Sequence, residues 1–165
     1  MKQYTLLLIS ALICSNTCSA EITKEINNFD NSTIITSVIN TKDYNKDLPR
    51  EIIFKKNNSK QSSYLISFVN RYITQNGYSP LEPVKMKIDN SLDNIQIFST
   101  QLYRTAQRGQ IAFLIDNTSI KKLEKSTTIQ FQVPISTSYI SHIKYSEFTL
   151  PKNILDEWKQ VITME

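Results

Sequence analysis

The tightest constraint on this chain is a stretch of strict alternation in its last third. Ile129, Phe131, Val133 and Ile135 are apolar, while Thr128, Gln130 and Gln132 between them are polar. Side chains on a strand point alternately to opposite faces, so this pattern puts one face into a core and the other into water. Val84, Met86 and Ile88 against Lys85 and Lys87 repeat it, as do Tyr64, Ile66 and Phe68 against Ser63, Leu65 and Ser67. Several half-buried strands in one chain, with turn residues between them, predict an antiparallel β fold. Pro134 near the end of the clearest run predicts an edge or terminating strand, because proline has no N–H to give a neighbour.

The rest of the chain is consistent with that core. Thr33–Ile39 is rich in β-branched residues and reads as a strand. Glu51–Lys55 reads as another, with Ile53 on its buried face, followed by a polar loop over Lys55–Lys60. Glu21–Asn28 is expected to be a polar lead-in, and Gln75–Pro80 a turn. Asp89-Asn90-Ser91 closes the strand begun at Val84, and Ile95–Thr105 reads as one further strand. Ile111, Phe113 and Ile115 define a strand after the Arg108-Gly109 turn, and Tyr139–Leu150 supplies the last.

Two helices stand out. Ser119–Lys125 is a short one, capped by Asn117 or Thr118, with Ile120 and Leu123 turned inward. After Pro151-Lys152-Asn153, the residues Ile154, Leu155, Trp158, Val161 and Ile162 share one face at helical spacing. The expected fold is therefore mainly β: an antiparallel β-sandwich or barrel with one short helix and a C-terminal amphipathic helix.

Residues 1–20 have the three-part build of an export signal. Lys2 is the positive start, Leu6–Ile13 the apolar core, and Cys18-Ser19-Ala20 places small residues for cleavage before Glu21. The apolar run falls short of the ~20 residues that span a bilayer. Neither Cys14, preceded by Ile13, nor Cys18, preceded by Thr17, fits the small residue and apolar pattern that precede an acylated cysteine. The expectation is a periplasmic or secreted product, residues 21–165, forming a single β-rich domain with no transmembrane segment. Both cysteines lie in the leader, so that product has neither disulfides nor thiol chemistry and depends on core burial alone.

Charge and glycine count exclude some function classes. Lys and Arg number 19 against 15 Asp and Glu, far milder than the concentrated basic charge of nucleic-acid binders, so no nucleic-acid partner is expected. Gly77 and Gly109 are the only glycines, which argues against glycine-rich phosphate loops. No cofactor is expected.

Val84–Asp89, Phe113-Leu114-Ile115-Asp116, Ile120–Lys125, Thr128–Val133 and Phe148–Trp158 follow one another as strand, strand, short lysine-rich helix, alternating strand and terminal helix. This half of the chain resembles small exported bacterial β-domain proteins, the invasion-associated locus B-like proteins and type VI secretion accessory proteins. The resemblance implies a small exported β fold and offers no catalytic residues to carry over.

Candidate chemistry is sparse. His142 is the sole histidine, and Asp89, Asp93 or Asp116 would have to orient it in a hydrolytic triad, without a nucleophile-elbow sequence. Glu82 and Glu147 have no partner visible in the sequence, and the adjacent Asp156 and Glu157 read as solvated. Lys121, Lys122 and Lys125 read as a solvated helix face, and Trp158 as a core anchor. Tyr103, Arg104 and Arg108 flank a turn and are the candidate partner-binding residues, because aromatic and arginine side chains combine contact area with directional donors. The expected function is an exported, non-catalytic binding or accessory protein with a protein partner, in or against a secretion system. A cell-envelope hydrolase and a carrier of a small apolar ligand are the alternatives.

Overall fold

A computed structural model describes residues 21–26, 32–41, 48–59, 62–71, 76–78, 82–103, 108–137 and 143–165. Residues 1–20 with both cysteines, Arg104 and His142 lie outside the described residues. Among the described residues eleven strands and two helices follow in order: β1 (Glu21–Ile26), β2 (Thr33–Asn40), β3 (Glu51–Asn58), β4 (Ser63–Arg71), β5 (Asn76–Tyr78), β6 (Val84–Ile88), β7 (Ser91–Ile95), β8 (Ile97–Tyr103), β9 (Arg108–Ile115), α1 (Asn117–Lys125), β10 (Ile129–Thr137), β11 (Ile143–Thr149) and α2 (Lys152–Thr163). They form two antiparallel sheets, β1-β2-β3-β4-β9-β8 and β11-β10-β6-β7, with β5 beside the far end of β10. Both sheets are open, and no strand pairing among the described residues joins them. The fold is a sandwich and not a barrel.

Register explains the core of the larger sheet. Ile39, Ile52, Phe68 and Ile111 are cross-strand neighbours, as are Ser37, Phe54, Ile66 and Phe113, and then Ile35, Lys56, Tyr64 and Ile115. These three rows are one face, and all twelve residues on it are buried. Phe68 meets Phe131 of β10 at 5.0 Å and Phe148 of β11 at 5.2 Å between ring centroids, both edge-on. Edge-to-face contacts at this distance fill space without opposing like-charged ring faces. Over β2 and β3 the core is closed by α2, whose Ile154, Leu155, Trp158, Val161 and Ile162 are all buried. Trp158 stacks on Phe54 at 4.8 Å.

The two polar residues on that apolar face are both consumed by α2. Lys56 donates to the carbonyls of Ile162 at 2.7 Å and Met164 at 2.6 Å, where the last turn leaves acceptors without intrahelical partners. The Ser37 hydroxyl donates to Glu157.

Several expectations need correction. Glu21–Ile26 is a strand and not a lead-in, pairing with β2 from Glu21↔Val38 to Ile26↔Thr33. Only its Ile22 packs against the core, which is why its pattern gives so little signal. In β3 the buried residues are Ile52 and Phe54, with Ile53 on the other face, and the strand runs on to Asn58 through what reads as a polar loop. Lys56 on the buried face breaks the alternation there. Asn76–Tyr78, expected as a turn, pairs with Ile135–Thr137. Ile95–Thr105 is split at Gln96: β7 belongs to the smaller sheet and β8 to the larger, so the chain crosses the sandwich at this point.

Pro134 lies in the interior strand of the smaller sheet, not on an edge. β6 covers Ile129–Gln132 and β5 covers Ile135–Thr137. Val133 and Pro134 fall in the gap, where one flank asks for no hydrogen bond. Finally, α1 is capped by Asp116, one residue before the expected caps. Its carboxylate accepts from the N–H of Thr118 at 2.7 Å and of Ser119 at 2.8 Å.

Candidate binding face

The outer face of the smaller sheet follows from the same alternation that builds the core. With Met86, Phe131 and Phe148 turned inward, Lys85, Lys87, Gln130, Gln132, Tyr145, Glu147 and Thr149 must turn outward. Register sets them in rows across the strands: Leu92–Lys87–Gln130–Thr149, then Asn94–Lys85–Gln132–Glu147. The surface is concave and encloses a hollow of about 480 Å³. That volume is within the range of ligand sites.

The side chains on it are unequally engaged. Gln132 donates its amide N–H to Glu147, which corrects the expectation that Glu147 has no partner. This orientation leaves Oε1 of Gln132 buried without a hydrogen-bond partner among the described residues. Gln130 reaches Thr149 at 3.4 Å. The Lys85 ammonium crosses β10 and sits 5.3 Å from the ring centroid of Tyr145, a cation–π contact. Lys87 is exposed and makes no ion pair among the described residues. Leu92, 60% exposed, lines the hollow, and Tyr145, 39% exposed, lies on the same face.

A second hollow of about 630 Å³ lies between β7, the end of β9 and the start of α1, and holds Asp93 and Asp116. Its two carboxylates are already engaged. Ser119 donates to both carboxylates, at 3.2 and 3.1 Å. Lys122 pairs with Asp93 at 3.1 Å, so it is not the free solvated lysine expected of that helix face. The N–H of Ser119 above all holds the Asp116 carboxyl below its ordinary range. Asp89, at φ 49°, closes the β6–β7 hairpin. It accepts from the N–H and hydroxyl of both Thr127 and Thr128 at 2.9 to 3.2 Å, and these N–H donors push its pKa down. Both aspartates are thus structural.

Glu157 behaves oppositely. It is half-buried on the face of α2 turned toward Ser37 of β2, not solvated, and desolvation raises its pKa against the opposing effect of Ser37. Asp156 is exposed, as expected, and Trp158 is fully buried. Tyr103 and Arg108 are register partners at the turn end of the β8–β9 hairpin, while Arg104 between them lies outside the described residues. Among the described residues no group of three or more His, Cys, Asp or Glu could hold a metal ion. No helix among them is long and apolar enough to cross a membrane.

No family model, curated protein or solved structure matches the chain. The functional reading therefore rests on its own geometry.

The concave face was not singled out from the sequence. Lys85, Lys87, Gln130 and Gln132 read there only as the wet side of alternating strands. What brings them together is the pairing of β6 with β10, whose register partners Lys85 and Gln132 stand 47 positions apart in the chain.

Proposed function

We propose that this chain is an exported binding protein acting through protein contacts, and that it meets its partner with the concave outer face of β6, β7, β10 and β11. The observation that supports this reading is the hollow itself. It gathers two lysines, two glutamines and the exposed Leu92 on one sheet face, with Tyr145 beside Lys85. Interfaces need such a mixture of contact area and directional polar groups. The pattern resemblance to exported accessory proteins makes a secretion-system accessory or immunity role the first setting to test.

The hydrolase alternative is less well supported. A general acid among paired carboxylates needs a raised pKa at the cleft. Asp89 and Asp116 are pushed the other way, and the raised Glu157 faces Ser37 beneath α2. An apolar carrier needs internal space, whereas rings at 4.8 to 5.5 Å fill this core.

The test is an affinity capture from envelope and culture fractions, comparing the wild type with a Lys85→Glu/Lys87→Glu variant. One stoichiometric protein held by the wild type and lost by the variant is the expected result. Retention of that protein by both would remove the concave face from the proposal, and retention of glycan or lipid alone would end the protein-partner reading.

A further inference from the structure

The concave face has a charge pattern with a definite spacing. Lys85 and Lys87 are two positions apart on β6, on the same side of the sheet. Same-face residues on a strand recur every ~6.6 to 7 Å. Neither ammonium has a carboxylate partner among the described residues: Lys85 rests on Tyr145, and Lys87 is exposed. The one carboxylate on this face, Glu147, stands beyond β10 and is held by Gln132. The face therefore offers two cations at the repeat of an extended chain, with its anion already engaged.

An extended peptide places alternate side chains on one side at that same repeat. Carboxylates at positions i and i+2 of such a segment would meet Lys85 and Lys87 together. Leu92 on β7 and Tyr145 on β11 lie to either side, on strands flanking β6 and β10, and would take apolar side chains of the same segment. From this complementarity we infer that the concave face receives an extended acidic segment of a protein, with carboxylates on alternate residues. The inference rests on the proposed function above and specifies the chemistry of the partner.

The experiment uses the chain purified from the extracytoplasmic fraction of its expression host. Three probes are titrated: a capped peptide of alternating Glu and Thr, a peptide of the same composition with its glutamates in adjacent pairs, and an oligogalacturonate of similar charge. Binding is read by calorimetry and by amide shifts of residues on β6 and β10. The alternating peptide should bind at least about tenfold more tightly than the paired one, and more weakly as salt is added. Lys85→Ala and Lys87→Ala should each weaken it, and a Lys85→Arg/Lys87→Arg variant should keep it. These side chains point away from the core, so the variants should fold normally, which circular dichroism checks.

Equal binding of the two peptides would overturn the spacing argument. Binding of the oligogalacturonate in place of either peptide would overturn the acidic-protein inference in favour of a glycan. If no peptide binds but the natural partner is still lost from the Lys85→Glu/Lys87→Glu variant, the acidic segment falls while the face keeps its role. If the captured protein is also indifferent to that variant, both readings fall.

Discussion

Lys56 and Lys87 are the same residue on neighbouring kinds of strand, and the molecule treats them in opposite ways. Lys56 faces into the sandwich at 7% exposure and donates to two carbonyls at the end of α2. Its burial lowers its pKa, against the pull of Glu165 and Glu124. Lys87 faces outward over a hollow and touches no carboxylate among the described residues. The difference lies in what covers each sheet. The inner face of the larger sheet is closed by a helix whose last carbonyls need donors, whereas the outer face of the smaller sheet is closed by nothing among the described residues. A polar group beneath a helix is spent on holding that helix, and one on an uncovered concave face stays open to solvent.

The comparison can be broken most directly at the helix. Trp158→Ala removes the largest buried side chain and its stacking on Phe54, and should cost about 3 to 5 kcal/mol. Chemical denaturation measures this, and a loss below about 1 kcal/mol would mean that α2 does not close the core. Next comes the pair of lysines. Lys56→Ala leaves two carbonyls without their donor and should destabilise by about 1 to 3 kcal/mol, while Lys87→Ala should stay within about 0.5 kcal/mol. Equal losses would show that Lys56 is no more structural than a surface lysine. Asp116→Ala should cost about 1 kcal/mol through loss of the α1 cap, measured the same way.

The smallest effects are those of pH, and they carry opposite signs. The folded pKa of Asp116 is depressed, so its contribution is present above the unfolded carboxylate pKa and is lost as pH falls through the folded value. Melting of wild type and Asp116→Ala should therefore converge on acidification. The folded pKa of Glu157 is raised, so its contribution is present below the unfolded pKa and is lost as pH rises through the folded value. Glu157→Gln keeps an acceptor for Ser37 and should gain stability over wild type at neutral pH, with little gain in acid. Convergence in the wrong direction for either residue would reverse the account of its surroundings.

How much of this could be read from the chain follows from where the information sits. The strands β4, β6 and β10 and the buried face of α2 were legible because alternation and helical spacing are local properties of neighbouring residues. β1 was not, because an edge strand with one packed side chain, Ile22, has almost no hydrophobic period. The side of β3 that faces inward was misread because Lys56 stands where an apolar residue would have kept the pattern. The cap of α1 was misplaced by a single position, since Asp116, Asn117 and Thr118 are all competent caps. Of the residues offered for binding, Tyr103 and Arg108 proved to be hairpin neighbours, and the concave face went unnoticed because its members are far apart in the chain.

Periodicity alone therefore determined that this protein is a β structure closed by an amphipathic C-terminal helix, because the burial of alternate or helically spaced side chains is decided within each segment. Only the tertiary structure decided that two open sheets form, that Pro134 occupies an interior strand, that Lys56 lies beneath α2 and Glu157 on its sheet-facing side, and that Lys85, Lys87, Gln132 and Tyr145 share one surface. Those outcomes depend on which strands pair and what packs over them, and such long-range contacts leave no mark on the local pattern of residues.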